Sequence, residues 1–282
     1  MNRILLIILY ASLALSVKAG KLTPHVEKVL DAYNFWLYTP DDTPEQEIEP
    51  KPLIVFLHGA SLCGRDLDRV RRYGTIDAIE KGRALDAYVI APQNPGGSWI
   101  PRKVMNIVDW VGENHNIDYD RIYVIGMSLG GYGTIDMAAT YPDQIAAAMA
   151  LCGGGTVSDL SGLNDVPLWI VHGIADRAVT IGQSDRVVSA MRSANSATPR
   201  LVYDRVPGMN HSQPARFFYL KESYDWLFSH SLKDKDRSVN STFDPTGLLK
   251  TAYKDLKFTG SRKKHTPPPA PTAAANPAIP PT

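Results

Sequence analysis

Short apolar runs separated by polar, glycine-rich joints recur along the chain. Asn34 to Tyr38, Leu53 to Leu57, Ala87 to Ala91, Ile122 to Ile125, Ala146 to Leu151, Leu168 to Val171 and Leu201 to Val206 each read as a strand. Most are continuous apolar stretches rather than alternating ones, the pattern of strands covered on both faces. Helical patterns fall between them, at Thr75 to Gly82, Arg102 to Asn114, Leu129 to Thr140, Gln183 to Ser193 and Ala215 to Phe228. In Arg102 to Asn114 the spacing gathers Val104, Ile107, Val108 and Val111 on one face. This alternation predicts an α/β fold, a mostly parallel central sheet with helices on both faces.

The pattern changes at both ends. After Arg3, Ile4 to Val17 is apolar apart from Tyr10, Ser12 and Ser16, and Val17-Lys18-Ala19 fits a small-x-Ala cleavage point. Residues 1–19 therefore read as a signal peptide, with the mature chain starting at Gly20 and a secreted or periplasmic destination. The apolar run is short for a bilayer span, which takes roughly 20 such residues, so no stable membrane insertion is expected after cleavage. Residues 20–230 carry the predicted α/β domain. Residues 231–264 form a polar C-terminal extension, with room for a short accessory element in Thr242 to Lys264. Residues 265–282 are rich in Pro and Ala, lack a core-forming period and are expected to be a disordered or extended tail.

Composition narrows the function classes. With 282 residues, 44% hydrophobic and 21% charged, the chain suits one large domain with a substantial core. A formal net charge of +1 gives no support for a nucleic-acid partner. Cys63 and Cys152 are the two cysteines. They are too few for a disulfide framework or a four-ligand zinc site. Free, buried thiols are the preferred reading, and a single disulfide stays open for an exported protein.

Candidate chemistry centres on Gly126-Met127-Ser128-Leu129-Gly130, directly after one predicted strand and opening a predicted helix. A serine on such a tight turn is lifted above the sheet edge, and small neighbours permit the strained backbone. The helix N-terminus beside it favours developing negative charge. Ser128 as a simple helix N-cap is the plainer alternative. A serine hydroxyl needs a base, and in this arrangement the chain order is nucleophile, acid, base. His211 lies between the strand Leu201 to Val206 and the helix from Ala215, the loop position a base requires. Asp176 follows the strand Leu168 to Val171 in a loop that can reach His211, although it could instead cap a helix or pair with Arg177. Asp165, Asp185 and Asp204 suit the role less well, since they precede a strand, sit on a helix or lie within a strand.

Two further loops share that edge. Leu53 to Leu57 runs into His58-Gly59-Ala60-Ser61, where small residues suit a backbone that must approach an anionic oxygen. The expected oxyanion donors are the N–H of Leu129 and that of Ala60 or Ser61. His58 and His172 read as loop-fixing residues rather than catalytic ones. Gln93 and Trp99, in the loop after Ala87 to Ala91, are candidate substrate-binding residues, with Trp99 equally suited to closing the core.

With these residues in hand, the chain resembles the phospholipase/carboxylesterase-like and esterase D-like serine esterases of the α/β-hydrolase superfamily. It is also similar to feruloyl and acetyl-xylan esterases. The likeness rests on Phe56-Leu57-His58-Gly59-Ala60, Ala91-Pro92-Gln93, Asp120-Arg121-Ile122-Tyr123, Gly126-Met127-Ser128-Leu129-Gly130-Gly131-Tyr132-Gly133, Cys152-Gly153-Gly154-Gly155, His172-Gly173-x-x-Asp176 and His211-Ser212, within Asn34 to Phe228. The resemblance implies a catalytic set of Ser128, Asp176 and His211, no metal or organic cofactor, and an ester substrate, with acylated carbohydrate as one class. Dienelactone hydrolases are similar but use a cysteine nucleophile, and Ser128 argues against that activity. A serine peptidase of the prolyl-oligopeptidase type shares the fold and order. Such enzymes carry a large extra domain, and only about 14 residues separate the expected signal peptide from the first predicted strand. A non-catalytic binding protein on the same scaffold is the remaining alternative.

Overall fold

The computed structural model describes residues 20–41, 49–239 and 244–256. The expected signal peptide and the Pro/Ala-rich tail lie outside the described residues. Eight strands build one sheet: β1 Lys21–His25, β2 Phe35–Thr39, β3 Lys51–Leu57, β4 Tyr88–Pro92, β5 Ile117–Met127, β6 Ala147–Leu151, β7 Leu168–Gly173 and β8 Leu201–Val206. Their order is β1-β2-β4-β3-β5-β6-β7-β8. The β1–β2 and β2–β4 pairs are antiparallel, and every pairing from β4 across to β8 is parallel.

Helices α1 Thr75–Glu80, α2 Pro101–Asn114, α3 Leu129–Thr140, α4 Gly182–Ala194, α5 Lys221–Phe228 and α6 Pro245–Thr251 cover the sheet. Strand pleating divides the core into two layers. Leu53, Val55 and Leu57 of β3 join the α2, α3 and α4 side, whereas Ile54 and Phe56 join the α1, α5 and α6 side. The predicted apolar face of α2 is fully buried, with Val104, Ile107, Val108 and Val111 at 0% exposure. Among the described residues no helix is long and apolar enough to cross a membrane.

Three elements differ from the sequence expectation. β1 lacks a strong apolar signal because its five residues are only half-buried or exposed at an antiparallel edge. The single helix expected over Ala215 to Phe228 is instead a 3-10 segment, Gln213–Tyr219, followed by α5. Leu220 separates them with an extended backbone (φ −81°, ψ 134°), and the buried run Phe217-Phe218-Tyr219-Leu220 is accommodated by that break. The third is the length of β5, whose polar lead-in Ile117–Arg121 begins beside Lys51 past a register shift.

The segment after α5 packs onto the domain. Arg237 donates to the carbonyls of Ile145, Ala146 and Asp165, and α6 contributes Leu249 to the core.

Because β3 to β8 run parallel, the loops that follow them emerge at one edge. Those loops carry Gly59, Gln93, Ser128, Cys152, Asp176 and His211. In open α/β sheets this is the edge where ligands bind.

Candidate active site

Ser128 sits at the junction of β5 and α3 with φ 57° and ψ −121°, a conformation L residues rarely adopt. Backbone strain of this kind costs about 1–3 kcal/mol and persists only where the surroundings enforce it. Here they do. The Ser128 N–H donates to Leu151 O at the end of β6 (2.8 Å). A methyl at Gly130 would overlap the carbonyl oxygen of Leu57, and one at Gly126 would overlap that of Gly130. The two glycines of the motif are therefore required by close packing of the α3 N-terminus against β3 and β5.

The three side chains singled out in the sequence meet. Ser128 Oγ lies 2.9 Å from His211 Nε2, and His211 Nδ1 lies 2.7 Å from Asp176 Oδ2. The carboxylate can only accept, so the proton sits on Nδ1, and Nε2 is left to accept from the Ser128 hydroxyl. Asp176 is fully enclosed as a side chain, and its other oxygen accepts from the N–H groups of Ala178 and Val179, both at 2.9 Å. These bonds fix the carboxylate's orientation toward the imidazole. The His211 loop is held by Asn210, which accepts from Ser212 N–H (3.1 Å) and donates its own N–H to Gln213 Oε1 (2.8 Å).

Neighbouring groups complete the edge. His172 is buried beside Asp176, with Nε2 2.9 Å from Val179 O and Nδ1 2.7 Å from Ser184 Oγ. Burial lowers its pKa, which keeps it a neutral spacer at the end of β7. His58 is also buried. Its Nδ1–H donates to Gly59 O (2.8 Å) and its Nε2 accepts from Asn94 N–H (3.0 Å). Burial pushes its pKa down to about 4, consistent with a neutral clasp between two loops.

Leu129 opens α3, and Ala60 and Ser61 open a 3-10 turn, Ala60–Leu62. The first N–H groups of a helical turn have no partner within it. Gly59 N–H is already given to Tyr73 Oη (2.8 Å), so the free donors of this loop begin at Ala60. A methyl at Gly59 would lie 3.4 Å from Ser128 Cβ, which sets the turn directly against the serine.

Gln93 and Trp99 are both buried. Gln93 is 4% exposed, and its amide donates to the carbonyls of Leu62, Gly64 and Asn94. Trp99 is 3% exposed, donates to His58 O (3.2 Å) and meets Tyr33 and His58 edge-on. Both brace loops from within. Tyr73 and Arg69, which contact the Gly59–Leu62 turn, were not singled out from sequence, because they lie in a segment without strand or helix periodicity.

Cys63 and Cys152 are free thiols. Cys152 has φ 42° and its Sγ lies 3.9 Å from His211 O. Among the described residues, Cys152, Asp176 and His211 bring metal-ligating atoms within 4.8 Å of one another. The set makes a poor cage, because Asp176 and His211 already bond each other.

The sheet order, the strained serine between β5 and α3, and the loops after β7 and β8 that bring Asp176 and His211 to it define an α/β-hydrolase fold. No protein-family model matches the chain. It is 33% identical over 121 residues to poly(3-hydroxyalkanoate) depolymerase C of Paucimonas lemoignei, covering 36% of this chain and 28% of that protein. It is 43% identical over 60 residues to acetylxylan esterase A of Emericella nidulans, covering 21% of this chain and 19% of that protein. The chain thus spans less than a third of the length of these curated relatives. A solved thermostable esterase superposes with a TM-score of 0.63 at 26% identity, over 76% of this chain and 63% of that one.

Proposed function

We propose that the protein is a serine hydrolase of carboxylic esters that works through an acyl-enzyme. The observation that carries this reading is the hydrogen-bonded line from Ser128 through His211 to Asp176. In this reading His211 takes the Ser128 proton as Oγ attacks the ester carbonyl, and Asp176 stabilises the resulting imidazolium. The N–H groups of Leu129 and of Ala60 or Ser61 hold the tetrahedral anion. The alcohol leaves with the proton from His211. Water then repeats the cycle on the acyl-enzyme.

The ester-hydrolase relatives support this chemistry, and the acetylxylan esterase among them favours an acylated polysaccharide as substrate, with acetyl as the acyl group; feruloyl remains the other acyl group that the sequence resemblance implies. The longer match to a poly(3-hydroxyalkanoate) depolymerase favours a second substrate, an aliphatic polyester, attacked by the same residues. Residues 1–19 support export of the enzyme, which N-terminal sequencing of the mature protein checks.

The decisive experiment is labelling with a fluorophosphonate and turnover of a nitrophenyl acetate ester. We expect Ser128→Ala to abolish labelling and to lower kcat by about 10⁶-fold. Near-normal hydrolysis by the purified variant would refute the assignment. Acetylated xylan, a feruloylated sugar and a poly(3-hydroxybutyrate) film separate the substrate classes, and a peptide anilide tests the peptidase alternative.

A further inference from the structure

We propose that Arg69 is a positioning residue for the turn that carries the oxyanion donors, a role that rests on the ester-hydrolase reading above. The argument follows the peptide planes of Gly59 to Cys63. In a rigid peptide unit the C=O of one residue and the N–H of the next point in opposite directions, so holding one aims the other. Gly59 O accepts from Leu62 N–H (3.1 Å) and from His58 Nδ1 (2.8 Å). Ala60 O accepts from Cys63 N–H (3.1 Å). These two bonds turn the N–H groups of Ala60 and Ser61 to the opposite side of the turn.

Those bonds are only as firm as the peptides that donate them, Ser61–Leu62 and Leu62–Cys63. The carbonyls of both units are gripped by one guanidinium. Arg69 Nη2 donates to Ser61 O (2.9 Å) and Arg69 Nε donates to Leu62 O (3.1 Å), with Gln93 Nε2 adding a second donor to Leu62 O (2.8 Å). Arg69 thus holds the two units that hold the two candidate donors. The fork geometry matters, because two adjacent carbonyls need two donors at fixed separation, which an ammonium cannot reproduce.

The surroundings reserve Arg69 for this contact. Among the described residues it makes no ion pair, although Asp66 and Asp68 are close in sequence; Asp68 pairs with Arg71 instead. Its stem lies against Gly64, where a methyl would sit 3.3 Å from Arg69 Cδ and where φ is 141°, so that position is open only to glycine without strain. Arg69 touches no reacting atom; its effect on chemistry would pass through the turn.

The test uses Arg69→Met, which keeps the stem but removes every donor, alongside Arg69→Ala and the wild type. We expect Arg69→Met to lower kcat on a nitrophenyl acetate ester by about 100-fold with KM within about twofold, the pattern of a lost transition-state contact. Binding of a trifluoromethyl ketone, whose adduct with serine carries an oxyanion, should weaken by the same factor. Millimolar guanidinium should restore part of the kcat of Arg69→Ala and leave wild type unchanged. Wild-type kcat and ketone affinity in folded Arg69→Met would overturn the proposal. So would a fall in kcat with unchanged ketone affinity, or no guanidinium rescue. A wild type that neither hydrolyses the ester nor labels at Ser128 would instead overturn the esterase reading, and this proposal with it.

Discussion

A methyl group on Gly173 would overlap the backbone carbonyl of Met209. Gly173 ends β7 and leads to Asp176, and Met209 precedes His211, so the Asp176 and His211 loops rest on each other at this point. Their hydrogen bond depends on a side chain being absent.

Gly173→Ala should therefore part the two loops. A displacement of about 1 Å costs about 100-fold in rate where geometry is set by hydrogen bonds. We expect slower phosphonylation of Ser128 and a matching fall in kcat, in protein whose circular dichroism is unchanged. Full activity in the folded variant would show that the loops adjust independently.

Asp176→Asn addresses the tautomer rather than the spacing. An amide at 176 can present its NH₂ to His211 Nδ1, which then holds the proton on Nε2, facing the Ser128 hydroxyl with a donor instead of an acceptor. We expect kcat on an activated ester to drop by about 10⁴-fold near neutral pH, measured by steady-state kinetics. A drop of less than about tenfold would assign the acid to another residue.

His58 links stability to pH. Its folded-state pKa is pushed down to about 4 from an ordinary value of 6.5. Between those values the unfolded chain binds the proton and the folded chain does not, so stability falls as pH falls through this window. The contribution, about 3 kcal/mol, is intact above 6.5 and lost below 4. His25, His115, His172 and His230 are also lowered by burial and act in the same direction. Urea unfolding of His58→Gln across this range should give a shallower pH slope than wild type. An identical slope would remove His58 as the source.

Trp99→Phe tests whether this ring serves the core or the substrate. The change removes the indole N–H donated to His58 O and shortens a ring that packs against Gly133. We expect a loss of about 2 kcal/mol in unfolding free energy. The ratio of kcat/KM for acetyl and feruloyl esters should stay constant. A shifted ratio at unchanged stability would return Trp99 to the pocket.

Most of the parallel strands were legible because burial on both faces writes them as unbroken apolar runs, as in Leu168-Trp169-Ile170-Val171. β1 was not, since Lys21-Leu22-Thr23-Pro24-His25 pairs on one side only and buries little. The break at Leu220 was hidden because a run of buried residues reads alike in a helix and in a 3-10 turn. Ser128, Asp176 and His211 could be found from chain order, as each follows a recognisable strand. For Gln93 and Trp99 the alternatives stayed open, because sequence fixes the loop a side chain belongs to, not the side of the loop it takes. Arg69 and Tyr73 left no trace because their segment lacks strand or helix periodicity and because they meet the Gly59–Leu62 turn through its backbone groups, which have no letter of their own.

The strand order has one more effect. Ser128 hangs on β5, Asp176 on β7 and His211 on β8, and β8 lies at the far border of the sheet. In the proposed chemistry no fragment of the assembly could turn over substrate, because the proton route closes only when the outermost strand has docked. During refolding, recovered hydrolysis would consequently report the docking of β8, and a chain stalled before that point would stay silent however much helix it had formed.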